Sequence, residues 1–250
     1  MCPADLKRRS VLLTRPDGYN DNLARKLEAA NVDVVERPLL KIQEKSMSQG
    51  DKQMAMDLDL VDDIIFVSGN AVEFGLDWLR KYWPQWPAAL RWFAVGPATA
   101  ARLRAQADVE PVFPERGASD ALLEMPEGQS VAGRRMLIVR GVGGREKLAD
   151  TLRARGADVH YLEAYERKPV DYGPESAREF GQRNFDVAVV TSGEALVQLA
   201  RLVSSADFPA KILVPSKRVR SLAIELGFAK VRVVEDVADE ALMQAISAID

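Results

Sequence analysis

The sequence predicts an α/β protein built from two similar parallel-sheet lobes. First, the chain repeats itself. Leu12–Val34 (LLTRPDGYNDNLARKLEAANVDV) lies over Leu137–Val159 (LIVRGVGGREKLADTLRARGADV) with nine identical pairs at an offset of 125. Second, the strand-like runs, such as Ile64-Ile65-Phe66-Val67 and Val187-Ala188-Val189-Val190, are apolar without in/out alternation. That is the pattern of strands covered by helices on both faces. Third, strand-like and helix-like segments alternate along the chain, which favours parallel pairing.

The repeat unit opens with the strand around Leu12, matched by the strand around Leu137. A helix follows, because Leu23 and Leu27 stand four apart on one face, as do Leu148 and Leu152. The next strands hold Val34 and Val159. DDIIFVSGNAV (Asp62–Val72) then lies over DVAVVTSGEAL (Asp186–Leu196), each an apolar run ending in Ser-Gly and opening a helix. FAVGPATAARL (Phe93–Leu103) lies over ILVPSKRVRSL (Ile212–Leu222). Last, ASDALLEM (Ala118–Met125) lies over ADEALMQA (Ala238–Ala245), each with a capping-type Ser or Asp before a short helix. On the order of these repeats alone, the lobes divide near residue 128.

Composition narrows the chemistry. The 250 residues carry a net charge of -3, which argues against a general nucleic-acid binder. No apolar run approaches membrane-spanning length, and MCPADLKRRS lacks the apolar stretch of an export signal, so a cytoplasmic protein is expected. The lone Cys2 makes no internal disulfide. The lone His160 makes neither a His-based metal site nor a Ser-His-Asp triad, and reads as a strand residue. Chemistry with no metal and no cofactor is the expectation.

In an open parallel sheet, ligands bind beyond the carboxyl ends of the strands. Six such loops stand here: Thr14–Gly18, Ser68–Ala71, Gly96–Thr99, Arg140–Gly144, Thr191–Glu194 and Pro215–Arg218. Each leads into a helix N-terminus, where free N–H groups and the positive dipole end favour carboxylate or phosphate. For any one loop, turn geometry and capping explain the Gly and Ser. All six together, with paired arginines at two strand ends, point to a polyanionic ligand held between facing lobes. Arg37, Arg167 and Lys168, in the segments ERPLLKI (Glu36–Ile42) and YERKP (Tyr165–Pro169), read as solvated basic surface.

The stretch RGVGGRE (Arg140–Glu146) half matches a dinucleotide fingerprint, with Gly141 and Gly143 in place but Glu146 where the third glycine belongs. No P-loop and no nucleophile elbow is present. Tyr165 stands over Leu40 in the repeat, so it breaks the symmetry. Its hydroxyl could donate a proton or hydrogen bond to a leaving oxygen. Taken alone, a tyrosine that packs its ring and bonds locally explains it as well.

Over nearly its whole length the chain resembles the uroporphyrinogen-III synthase family of bacterial, gamma-proteobacterial kind. The resemblance rests on LLTRP, PLLKI, IIFVSGNAV, WFAVGPATAARL, LIVRGVGGREKLADTLRARGADVHYLEAYER, VVTSGEAL and ILVPSKRV, taken in order. It implies two flavodoxin- or Rossmann-like lobes joined by a two-stranded antiparallel connector near 36–42 and 162–168. One lobe is residues 1–36 plus 168–250, the other 40–164, so the repeats are exchanged between lobes. It implies that hydroxymethylbilane, an open-chain tetrapyrrole with eight carboxylates, loses its hydroxyl as water and closes to uroporphyrinogen III with the last ring inverted. No metal or organic cofactor is implied. Tyr165 would assist departure of the hydroxyl. Ser68, Asn70, Gly96, Thr99, Arg140, Gly143 and Gly144 would contact the substrate, as would Arg15, Thr191, Ser192 and Ser216, largely through backbone N–H groups. The sixth loop reads PSKRV, with Arg218 where the first copy has Thr99. A monomer, in transient contact with hydroxymethylbilane synthase and with neither nucleic acid nor membrane, completes the expectation. The alternatives are a two-lobed protein that binds a small polyanion without catalysis, and a nucleotide-sugar transferase. The second needs a carboxylate base and a nucleotide pocket that the sequence does not offer.

Overall fold

The computed structural model describes residues 9–115, 119–234 and 236–249; Cys2 and Ala118 lie outside them. The chain divides into two units, Met1–Ile42 with Lys168–Asp250, and Gln43–Arg167. A division near residue 128 is therefore not the one taken. The strand partners that decide the matter are distant in sequence and carry no local signal.

The first unit holds β1 (Ser10–Leu13), α1 (Asp21–Ala29), β2 (Asp33–Glu36), and most of β3 (Leu40–Glu44). The second adds α2 (Gln49–Met56), a 3-10 turn at Leu58–Leu60, β4 (Asp63–Phe66), α3 (Gly69–Arg80), β5 (Arg91–Ala94) and α4 (Pro97–Ala107). It continues with α5 (Ser119–Glu124), α6 (Pro126–Gln129), β6 (Arg135–Gly141), α7 (Lys147–Ala154) and nearly all of β7 (Asp158–Pro169). The first unit then resumes with α8 (Gly173–Gln182), β8 (Val187–Val189), α9 (Gly193–Leu202), β9 (Lys211–Val214), α10 (Lys217–Glu225), β10 (Val231–Val233) and α11 (Asp239–Ser247).

One sheet has the order β10-β9-β8-β1-β2, with all described pairs parallel. The other runs β3-β7-β6-β4-β5. Its pairs β4–β5, β4–β6 and β6–β7 are parallel, and Val112 adds an isolated parallel bridge to Phe93 outside β5. The Val112 bridge matches β10, reduced to one residue. Apart from the added edge strand β3, the sheets are thus one doubly wound order, 2-1-3-4-5, written twice. Strands one and two of each sheet come from one repeat, and the rest from the other.

The absence of in/out alternation has its cause in the packing. Along β1, Val11 and Leu13 enter the core under α1 and α11, whereas Leu12 enters the core under α8, α9 and α10. Both faces are dry, so Val11, Leu12 and Leu13 are all apolar. The repeat extends to single hydrogen bonds. Ser10 N–H donates to Asp186 Oδ2 at 2.8 Å, and Arg135 N–H donates to Asp62 Oδ2 at 2.8 Å. At the same end of β4, Asp63 is fully buried and takes paired hydrogen bonds from both Arg91 and Arg134.

At one edge, β3 lies beside β7. Lys45 N–H donates to Ala164 O at 3.1 Å, and Val170 N–H to Leu39 O at 3.0 Å, the crossed order of antiparallel neighbours.

Candidate active site at the strand ends

In each sheet the winding reverses between strands one and three, and crevices for ligands open there, beyond the carboxyl ends. In the second unit that point is flanked by the loops after β6 and β4; in the first, by the loops after β1 and β8. The sequence candidates sort onto these loops and the next ones along. Ser68, Asn70, Gly96, Thr99, Arg140, Gly143, Gly144 and Tyr165 belong to the second unit. Arg15, Thr191, Ser192 and Ser216 belong to the first.

Three of the serines are helix caps. Ser68 Oγ accepts from Ala71 N–H at 3.1 Å, Ser192 Oγ from Ala195 N–H at 3.1 Å, and Ser216 Oγ from Val219 N–H at 3.3 Å. Each satisfies one of the donors that a helix start leaves over; the others point outward. Gly96 precedes Pro97 and gives α4 no side-chain cap. Thr99 is buried in the first turn of α4, while Lys217 and Arg218 at the start of α10 are exposed. Gly18 and Gly143, identical in the repeat, share a backbone reason: φ is +78° at one and +62° at the other. That left-handed conformation favours glycine.

Tyr165 lies on β7 and is 3% exposed. Its hydroxyl is 3.0 Å from Ser68 Oγ, at the N-terminus of α3 beyond β4. Strand β6 stands between β7 and β4, so the tyrosine ring must cross it. It does so at Gly141, where an added Cβ would lie 2.5 Å from the ring. Phe74 packs on the ring, with centroids 5.7 Å apart, and Val142 N–H donates to Tyr165 O at 2.8 Å. Gly141→Ala is therefore expected to push the ring off Ser68 and cost activity about tenfold or more, the scale of losing a positioned group. Steady-state turnover of the variant checks this; wild-type kcat with alanine in place would refute the crossing.

The paired arginines are not bare. Arg15 donates from Nη1 to Asp239 Oδ1 at 3.1 Å, and also bonds Tyr19 O and Val237 O. Arg140 donates from Nη1 to Glu146 Oε1 at 2.9 Å, stands 3.6 Å from Glu163 Oε1, and stacks 4.3 Å above the Tyr161 ring. The Tyr161 hydroxyl and then the Arg140 guanidinium hold Glu146 below the usual carboxylate range. Burial first, and Glu146 next, push the Tyr161 phenol up.

Sequence reasoning did not single out Glu163, Tyr161 or Phe74, and treated Glu146 only as a missing glycine. Nothing in residue spacing marks them, since they meet Arg140 or Tyr165 only through neighbouring strands and a helix. His160 stands on β7 with Nε2 2.9 Å from Asp158 Oδ2.

These residues and their order have relatives. Residues 21–244 match the family described as uroporphyrinogen-III synthase HemD. The chain is 36% identical over 247 residues to the uroporphyrinogen-III synthase of Escherichia coli K12, covering 95% of this chain and 99% of that one. The chain belongs to the uroporphyrinogen-III synthase family. A synthase of the same name from Synechococcus elongatus is 32% identical over 222 residues, covering 85% of this chain and 82% of the relative. Among solved structures, uroporphyrinogen-III synthetase from Helicobacter pylori 26695 superposes with a TM-score of 0.61 at 14% identity, covering 96% of this chain and 99% of that one. A mutant uroporphyrinogen III synthase from the extremely thermophilic bacterium Thermus thermophilus does so with 0.58 at 15%, covering 95% and 96%. Those two likenesses speak to the fold. A uroporphyrinogen-III synthase is an enzyme, and no helix among the described residues is long and apolar enough to cross a membrane.

Proposed function

We propose that this synthase takes hydroxymethylbilane, removes its hydroxyl as water, and closes the macrocycle with the last pyrrole ring inverted, giving uroporphyrinogen III. The observation that carries the chemistry is the Tyr165–Ser68 pair. Ser68 Oγ already accepts from Ala71 N–H, so its own proton can go to the phenolic oxygen. Tyr165 then keeps its O–H for the substrate. As that proton passes to the departing hydroxyl, the C–O bond breaks with its electron pair on oxygen, water leaves, and an electrophilic azafulvenium cation remains opposite the phenolate. Negative charge building on the phenolic oxygen faces the positive end of α3 through Ser68.

Departure of this hydroxyl is easy, and uncatalysed closure gives the uninverted ring. Holding the chain ends in the right geometry is therefore the larger task. The helix starts at Ser68, Gly96, Ser192 and Ser216, with Asn70, Thr99, Gly143, Gly144 and Thr191 beside them, supply N–H donors for the substrate's carboxylates. Arg15 and Arg140 stand at the rims.

We also read residues 36–42 and 162–168 as a two-stranded connector between a lobe of 1–36 plus 168–250 and a lobe of 40–164. The pairing of β3 with β7 supports that reading. A cytoplasmic monomer working without a cofactor, fed by transient contact with hydroxymethylbilane synthase, completes it.

The test is incubation with enzymatically generated hydroxymethylbilane, followed by chromatographic separation of isomers I and III. Isomer III is the expected product; isomer I alone would remove the assignment.

A further inference from the structure

We propose that Glu146 is a built-in placeholder for a substrate carboxylate at Arg140, and swings away when the substrate's carboxylate takes its place. This rests on the proposed function, since it names how one acidic arm of that substrate is received. Three observations within the second unit carry it.

The first is the contrast in burial. The Arg140 side chain is 7% exposed, whereas that of Glu146 is 51% exposed. The guanidinium is thus a covered cation whose outer cover is a carboxylate on a mobile type of side chain. Glu163 already stands near this cation, so an anion at the outer face completes its cover when no ligand is bound and is not what holds it in the fold. Exchanging one carboxylate for another keeps the local charge constant, and neither state strands the cation.

The second is that Arg140 has partners besides Glu146. The guanidinium stacks on Tyr161 and hydrogen-bonds Gly141 O at 3.3 Å from Nε. On its inner side, Glu163 stands 3.6 Å away, with Lys45 3.9 Å from Glu163. Lys45 is in turn held 3.3 Å from Asp51 in the capping box of α2. Glu163 orients the arginine from behind and Glu146 occupies its front. Gly144 lies against the guanidinium, where an added Cβ would come 3.3 Å from Cζ, so the exchange site opens on the glycine loop.

The third is the comparison between the two copies. Arg15 is also covered by a carboxylate, Asp239, but that group is fastened twice, by Arg15 and by Asn22 Nδ2 at 2.6 Å, and its side chain is only 19% exposed. Asp239 is a fixed tie. Glu146 is also held twice, by Arg140 and by the Tyr161 hydroxyl, with Arg153 adding attraction; what sets it apart is a side chain 51% exposed, free to leave toward water. Like any solvent-facing glutamate it is ionised at neutral pH, as a stand-in for a carboxylate must be.

The experiment is steady-state kinetics of Glu146→Gln and of Tyr161→Phe with hydroxymethylbilane generated in situ, with thermal melts of each. Removing the competing charge, or its tether, should lower KM by about two- to fivefold, the scale of one exposed ion pair. kcat/KM should rise in both variants. A KM that is unchanged or raised, or a Glu146→Gln protein whose melting temperature falls by more than about 5 °C, the scale of a structural tie, would make Glu146 a fixed clasp and overturn the proposal. Wild-type protein that forms no isomer III would instead remove the proposed function itself.

Discussion

Tyr165→Phe is expected to lower kcat for isomer III formation on the order of 10- to 100-fold, with KM changed less than kcat. General acid assistance is usually worth about 10²–10⁴-fold, and the lower part of that range applies because the hydroxyl departs readily unaided. The variant keeps the ring over Gly141 and against Phe74, so packing is preserved. What it loses is the bond to Ser68 and the proton. The lost hydrogen bond is worth about 0.5–1.5 kcal/mol of stability, too little to unfold the protein. A kcat within about twofold of wild type, measured by chromatographic separation of the isomers, would show that the phenol is packing and not chemistry.

Asp63→Ala is expected to cost about 3 kcal/mol, the lower end of the range for breaking a buried ion cluster. Asp63 is fully buried, whereas Arg91 and Arg134 keep 41% and 29% of their side-chain exposure and regain water when the partner goes. For a chain of this length the melting temperature should fall by about 6–12 °C. A fall of under about 2 °C would show the cluster to be energetically idle. The pH dependence has a definite sign. Burial alone would raise the Asp63 pKa, but the hydrogen bonds from Arg134 and then Arg91 outweigh it and hold the carboxyl below its usual value. A depressed folded-state pKa stabilises above the unfolded value of about 3.9, and that stability is lost as pH falls through the folded value. The gap between wild type and Asp63→Ala should therefore be full at neutral pH and close below about pH 4.

The strands were legible because both sheet faces are dry. Val11-Leu12-Leu13 has no polar position, and its residues divide between two cores. The duplication was legible because it preserves backbone geometry: Gly18 and Gly143 share a positive φ. Strand partners were not legible from residues. Val11 pairs with Val187, and nothing local in either segment names the other. Helix α2 was missed although Ser48 and Asp51 form a capping box, a signal available in the spacing. At the site, Tyr165, Ser68 and Arg140 were named from the chain. That the tyrosine reaches the serine across Gly141 depends on strand order, and that Arg140 faces two glutamates depends on side-chain direction. Neither is encoded at fixed spacing.

The exchanged halves also set an order of assembly. Residues 43–167 are continuous in the chain, and the sheet strands they hold find each other without waiting for anything beyond them. The opening segment β1-α1-β2 is made first, yet β1 has an open flank until β8 is made, more than 170 residues later. During synthesis at about 5–20 residues per second, that flank stands unpaired while the central unit closes. The last-made helices then have to find a strand pair that has been waiting since the start, a closure between distant segments that is intrinsically slow. β1 is thus made well before the strand that encloses it, and in the interval its hydrophobic edge is open to mispairing.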